Sequence, residues 1–199
     1  MKFDKQTIEF YNTNAQKYSS YSYEHEKDEL YERFLNYLPQ KGSILDAGCG
    51  AGWDTNFFLS NGYYVTALDA SVKLLELIET HKNLTKIESD FLNFKSESTF
   101  DGIWASFSLQ HLPKYDFKPA LKLLKNFLSD TGFFYIGIHE GNKEIRDTLG
   151  RYYSYYAESE ISGIIQSLNL RIFSLDKLES TSFDGKKINT MHFLIQKNK

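Results

Sequence analysis

An α/β fold, with a mostly parallel sheet covered by helices on both faces, is what this sequence predicts, and three features predict it. From Ser43 onward, short apolar runs recur: SILDA, YYVTALD, TKIES, DGIWASFS and GFFYIGI. Helical segments separate them, WDTNFFLSN, SVKLLELIETH and KPALKLLKNFLSD, the last carrying leucines and Phe127 on one face and lysines opposite. The first run ends in a glycine-rich bend, DAGCGAGWD, where bare backbone permits strained angles and the close approach of another molecule. Strands and helices alternating in this way imply parallel strands buried on both faces.

Two amphipathic helical segments, roughly Asp4 to Tyr18 and Glu24 to Leu38, precede the first strand. In the second, Leu30, Phe34 and Leu38 recur with Tyr31 and Leu35 at helical spacing, and Pro39 with Gly42 ends the segment. Residues 1–42 are therefore expected to form a helical cap. A core over 43–139, an insert over 140–157 and a terminal helix and hairpin over 158–199 complete a single domain of 199 residues. The hairpin is read from NLRIFSLDKLES and KINTMHFLIQK, strand-like runs joined across TSFDGK with its Asp-Gly pair. It should add one antiparallel strand to the sheet. The chain shows no internal repeat or low-complexity tract.

Composition narrows the function classes. With 41% hydrophobic residues, 25% charged residues and three prolines, the chain is ordinary globular material. A net charge of -3 and scattered lysines give no footprint for a nucleic-acid backbone, so nucleic acid is not an expected partner. The single cysteine, Cys49, excludes an internal disulfide, and MKFDKQTIEFYNTN lacks the apolar core of a signal peptide. A cytoplasmic location is expected. No run approaches the ~20 apolar residues of a membrane span. The five histidines are dispersed, without paired cysteines or HExxH, so no metal site is expected.

In open parallel sheets, ligands gather beyond the carboxyl ends of the strands. Gly48, Gly50 and Gly52 sit at that place after the first strand, and Asp69 closes the next strand in ALDAS. An acid there can accept from both hydroxyls of a ribose. After the third strand, SDFLNF offers Asp90 to an adenine amine and Phe91 to the ring beside it. The glycines alone would serve a tight turn equally well. Together with the two acids they describe an adenosine pocket.

In that order and spacing, LDAGCGAGWDT, ALDAS, SDFLNF and FDGIWASFSLQHLP resemble the successive motifs of class I S-adenosylmethionine-dependent methyltransferases, from Ser43 to Ile138. Small-molecule members labelled type 11, type 12 or tellurite-resistance are of this appearance. The resemblance implies a Rossmann-like seven-stranded sheet with an antiparallel seventh strand. It also implies S-adenosyl-L-methionine as cofactor and methyl transfer to a small-molecule acceptor.

Carried over by position, the resemblance sets Asp46 and the backbone of Gly48, Cys49 and Gly50 at the methionine part of the cofactor. It sets Asp69 at the ribose, Ala70 and Phe91 on the adenine faces, Asp90 at the amine and Ala105 among the remaining contacts. The stretch FYNTNAQKYSSY resembles the preamble of small-molecule members, in which Tyr11 and Tyr18 would close over the cofactor and Arg33 would fork its carboxylate. Simpler roles stand beside these: helix packing for the tyrosines, a surface charge for Arg33, a brace at the bend for Asp46 and small filler for Cys49.

Methyl displacement from a sulfonium needs alignment and a dry site more than covalent help. Where the acceptor must lose a proton, His111 after the fourth strand and His139 after the fifth are candidate bases. A histidine in SLQHLP also suits a structural turn. In the insert EGNKEIRDTLGRYYSYYAES, Tyr152, Tyr153, Tyr155 and Tyr156 with Arg146 and Arg151 would line a pocket for an anionic or aromatic acceptor, or else begin a partly buried helix. SFSLQ lacks the Asp/Asn-Pro-Pro-aromatic signature of methyltransferases acting on base amino groups. A nicotinamide-dependent oxidoreductase would share the glycines and Asp69, and a non-catalytic S-adenosylmethionine-binding protein would share the whole pocket.

Overall fold

The computed structural model describes residues 4–20, 28–181 and 185–198. The expected start of the second helix at Glu24, and Ser182 to Asp184 of the expected hairpin turn, lie outside them.

Successive side chains of a strand point to opposite faces, so each central strand feeds two cores. In β1 (Ser43–Ala47), Leu45 and Ala47 oppose Ile44; in β4 (Phe100–Ser106), Ile103 and Ala105 oppose Trp104; in β5 (Leu128–His139), Phe134 and Ile136 oppose Phe133 and Tyr135. The first set packs on α5 (Lys114–Asn126) and α6 (Glu158–Ser167) through Phe117, Leu121, Ile161 and Ile165. The second packs on α2 (Asp28–Asn36) and α3 (Trp53–Ser60) through Leu30, Phe34 and Phe58.

With β2 (Tyr64–Asp69), β3 (Leu84–Glu88), β8 (Leu170–Thr181) and β9 (Lys187–Lys197), the sheet has seven strands in the order β3-β2-β1-β4-β5-β9-β8. Strand β9 runs antiparallel to β5 and β8, and the remaining pairs are parallel. The chain winds outward from β1 to β3 and then restarts at β4 on the other side of β1. That reversal opens a crevice at the carboxyl ends of β1 and β4. Across it lies α1 (Lys5–Ser19), capped by the Asp4 carboxylate, which accepts from the Thr7 N–H at 3.0 Å.

Three expectations are corrected. The segment SVKLLELIETH is helical only over α4 (Val72–Leu77), because Ile78 turns extended and its side chain fills the space beside Gly52. Helix α5 starts right after Pro113, four residues before KPALK, and Leu128 to Asp130 belong to β5. The tyrosine-rich insert is neither helix nor loop. Its strands β6 (Glu144–Arg146) and β7 (Tyr152–Ser154) form a small antiparallel ribbon.

One buried polar knot ties α2 and α3 to the sheet. Asp54, 9% exposed, accepts from Trp104 Nε1 at 2.8 Å and from the Tyr31 hydroxyl. Burial, followed by the charge of Asp54, holds the Tyr31 phenol far above its ordinary pKa. Asp54→Ala would strand an indole N–H and a phenol O–H among aromatic rings, at a cost of about 2–3 kcal/mol. Urea unfolding should show a lower midpoint at unchanged slope.

Candidate active site

The N–H groups of Gly48 and Cys49 both donate to the Leu68 carbonyl, at 2.7 and 3.0 Å, which folds the bend after β1 against β2. Ser108 crosses close behind, its Oγ donating to the Ala47 carbonyl at 2.6 Å. A Cβ on Gly48, whose φ is +80°, would lie 2.2 Å from the Ser108 Cβ. Gly50, with φ of +55°, is different: a Cβ there would meet only the Tyr18 ring edge, at 3.6 Å. Packing thus demands the first glycine. The second opens bare peptide to a cavity.

That cavity encloses about 1210 Å³, its open mouth included. Gly48, Cys49, Gly50, Asp69 and Ala70 line the wall at the β1 and β2 tips, and Asp90 and Phe91 continue it past β3. Tyr11 and Tyr18 of α1 roof it, their rings edge-to-face with centroids 5.1 Å apart. Leu112, Pro113 and Asp116 line the wall on the α5 side.

Asp69 holds the cradle in shape. Its Oδ2 accepts from the Gly50 N–H and its Oδ1 from the Ser71 N–H, both at 2.8 Å. A carboxylate offers about four lone-pair sites, so each oxygen keeps one for a vicinal diol. Burial raises the Asp69 pKa, against the pull of the N–H groups of Ser71, Gly50 and Ala70. Asp90 is busier than the sequence suggests. Its Oδ1 accepts from the N–H groups of Leu92 and Asn93, both at 2.7 Å, and the Asn93 amide takes Oδ2.

At the α1 end, Tyr11 and His111 form a pair. The Tyr11 hydroxyl lies 3.0 Å from His111 Nε2, and His111 Nδ1 lies 2.7 Å from the Tyr152 carbonyl. A carbonyl only accepts, so Nδ1 carries the proton and the Nε2 lone pair receives the Tyr11 O–H. Withdrawal from water pushes the imidazole down to about 4. Burial pushes the Tyr11 phenol up, and the nearby Arg151 guanidinium opposes it.

Imidazole NMR should therefore place the His111 midpoint near 4. The unfolded chain binds this proton near 6.5, so His111 costs stability as pH falls from about 6.5 to about 4. His111→Gln should reduce that acid sensitivity in thermal unfolding compared at pH 7 and pH 5.

Several sequence-chosen residues lie elsewhere. Arg33 pairs with Asp176 of β8, not with anything at the cavity. Asp46, 1% exposed, accepts from Thr55 Oγ1 at 2.6 Å and braces α3 beneath the bend. Ala105 is sealed in the core, because alternation turns it away and presents Ser106 instead. His139 lies outside the lining, its ring stacked on Tyr153 at 5.5 Å and its N–H donating to Gln110.

None of the insert residues lines the cavity either. Arg151 is locked to Asp147 at 2.8 Å, with its guanidinium 5.2 Å from both the Phe10 and Tyr153 rings. The Tyr152 hydroxyl donates to Glu144 at 2.7 Å, and Tyr156 packs on Phe117 in the core. Arg146 is held by Asp4 at 2.8 Å. The pocket for an anionic acceptor is thus absent from the insert: both arginines are spent supporting α1. Among the described residues, no lysine or arginine lines the cavity.

Trp53, Phe107 and Asp116 do line it and were missed. Phe107 has φ of 55°, a left-handed backbone that non-glycine residues seldom adopt, fixed by its N–H donating to the Gly137 carbonyl at 2.9 Å. Asp116 sits in the first turn of α5, which the sequence reading began too late to include.

Residues 44–132 match the family model of a methyltransferase domain. Over 186 residues the chain is 25% identical to an uncharacterized methyltransferase of Staphylococcus carnosus, covering 87% of this chain and 86% of that one. A malonyl-[acyl-carrier protein] O-methyltransferase of Erwinia pyrifoliae is 33% identical over 70 residues, which is 34% of this chain and only 26% of that protein. Among solved structures, the 1,6-didemethyltoxoflavin-N1-methyltransferase of Burkholderia thailandensis, with its substrate and S-adenosylhomocysteine bound, shares the fold. It superimposes with a TM-score of 0.78 at 18% identity, over 96% of this chain and 87% of that one. The matched methyltransferase domain and the relative that spans 87% of the chain support methyl transfer from S-adenosylmethionine, on a fold that the Burkholderia enzyme shares.

Proposed function

We propose that the chain methylates a small molecule within the roofed cavity, with Asp69 holding the ribose of the cofactor and the Gly48 to Gly50 backbone its methionine part. The observation that carries this reading is the α1 roof. Tyr11 and Tyr18 cover the bend, and Tyr11 reaches across to His111, which leaves little way in for a folded macromolecule. Bound S-adenosylmethionine supplies an electrophilic methyl group, whose departure leaves a neutral thioether. The chain aligns and dehydrates the two partners. The Tyr11 hydroxyl and His111, joined by their hydrogen bond, are the polar groups of the roofed side that would orient the acceptor.

Malonyl acceptors carry a free carboxylate, which the Erwinia relative would have to accommodate. Five lining aspartates, Asp4, Asp54, Asp69, Asp90 and Asp116, without a lining lysine or arginine among the described residues, speak against that acceptor class here. The test is incubation of the protein with methyl-labelled S-adenosylmethionine and, separately, low-molecular-weight cell extract, total RNA and protein. Label should enter the low-molecular-weight fraction. Label confined to RNA or protein would refute the small-molecule reading.

A further inference from the structure

Four of the five carboxylates on the cavity wall already have donors: Asp4 has Arg146 and Thr7, Asp54 has Trp104 and Tyr31, Asp69 has two backbone N–H groups and Asp90 has Leu92 and Asn93. Asp116 differs. It is 3% exposed, and its Oδ1 is buried with no hydrogen-bond partner. Lys114, two residues before it, turns away to Glu160 at 2.8 Å and over the Tyr156 ring. A buried carboxylate oxygen without a donor is costly, by more than a neutral group would be, so such an atom on a cavity wall marks a place where a ligand supplies the hydrogen.

The cavity divides in two. The tips of β1, β2 and β3 present the bare peptide of Gly50 and the diol-ready Asp69, which take the cofactor. The remaining wall, from His111 through Pro113 to Asp116 with α1 above it, is left for the acceptor. We infer that Asp116 is an acceptor-binding residue and that the acceptor carries a primary amino group, which donates to the Asp116 carboxylate. Resting on the function proposed above, the inference narrows it to a substrate class. An amine supplies both the missing hydrogen and the positive charge that the wall lacks, whereas a carboxylate would meet a second carboxylate at close range. Asp116 stands in the first turn of α5, where negative charge is favoured by the helix N-terminus.

The experiment is calorimetric titration of the S-adenosylhomocysteine-loaded protein with matched sets of small arylalkyl primary amines, alcohols and carboxylates that differ only in that group. Amines should bind and the matched carboxylates should not. Asp116→Asn, nearly the same in shape, should weaken amine binding about tenfold or more, the loss of one charge-assisted hydrogen bond, and leave S-adenosylhomocysteine affinity unchanged. Asp116→Glu, which restores the charge, should recover part of the amine binding. Far-ultraviolet circular dichroism and thermal unfolding confirm that the variants fold.

The inference is overturned if no amine of the set binds, if carboxylates bind as well as amines, or if Asp116→Asn leaves amine affinity intact. It is equally overturned if Asp116→Asn weakens S-adenosylhomocysteine, which would place Asp116 in the cofactor site. Failure of the wild-type protein to bind S-adenosylhomocysteine at all would instead refute the function proposed above.

Discussion

Gly48→Ala should lower the folding free energy by about 4 kcal/mol and abolish cofactor binding. Two costs combine. A left-handed φ of +80° is unfavourable for any residue with a Cβ, by roughly 1–2 kcal/mol. The added methyl would also lie 2.2 Å from the Ser108 Cβ, and overpacking of this kind costs roughly 1–3 kcal/mol. Ser108 cannot step back freely, because its hydroxyl is tied to the Ala47 carbonyl. Any shift that relieves the clash moves the bend, and with it the peptide of Gly50. Denaturant unfolding measures the first effect and titration with S-adenosylhomocysteine the second. Gly50→Ala makes the informative contrast: with its Cβ facing only Tyr18 at 3.6 Å, it should cost much less stability and still impair the cofactor.

Asp69→Ala should weaken S-adenosylmethionine binding by about 3 kcal/mol, more than a hundredfold. The carboxylate does two jobs at once, anchoring the Gly50 and Ser71 N–H groups and keeping a lone pair on each oxygen for the ribose. Asp69→Asn should fall between Ala and wild type, because one of its two positions becomes a donor facing donors. The pH dependence has a definite sign. Burial raises the Asp69 pKa, so the ionised form that accepts from the ribose is lost as pH falls, at a higher pH than for an ordinary aspartate. Cofactor affinity should drop on acidification, and this component should vanish in Asp69→Ala.

Where sequence reading worked and where it failed follows from the range of the interactions. Strand β1, the bend, Asp69 and the final hairpin are written in local pattern: an apolar run, glycines at fixed spacing, an acid at a strand end, two strand-like runs flanking Asp-Gly. Tyr11, Tyr18 and His111 all line the cavity. Arg33 failed because its partner, Asp176, is 143 residues away on a strand whose neighbours no local pattern reveals. Arg151 and Tyr153 looked like pocket residues because charge and rings cluster there, yet the same features also build a buried support, and only the fold distinguishes the two. Asp116 went unnoticed for a smaller reason. Its helix begins with Pro113 and Lys114, and its value lies in a hydrogen bond that is missing, which no sequence pattern displays.

Calorimetric titration of the folded protein with S-adenosylhomocysteine tests the central claim most directly. The account predicts saturable binding at one site per chain, with heat that disappears in Asp69→Ala. A well-folded protein that releases no heat and gains no thermal stability from this compound would contradict it.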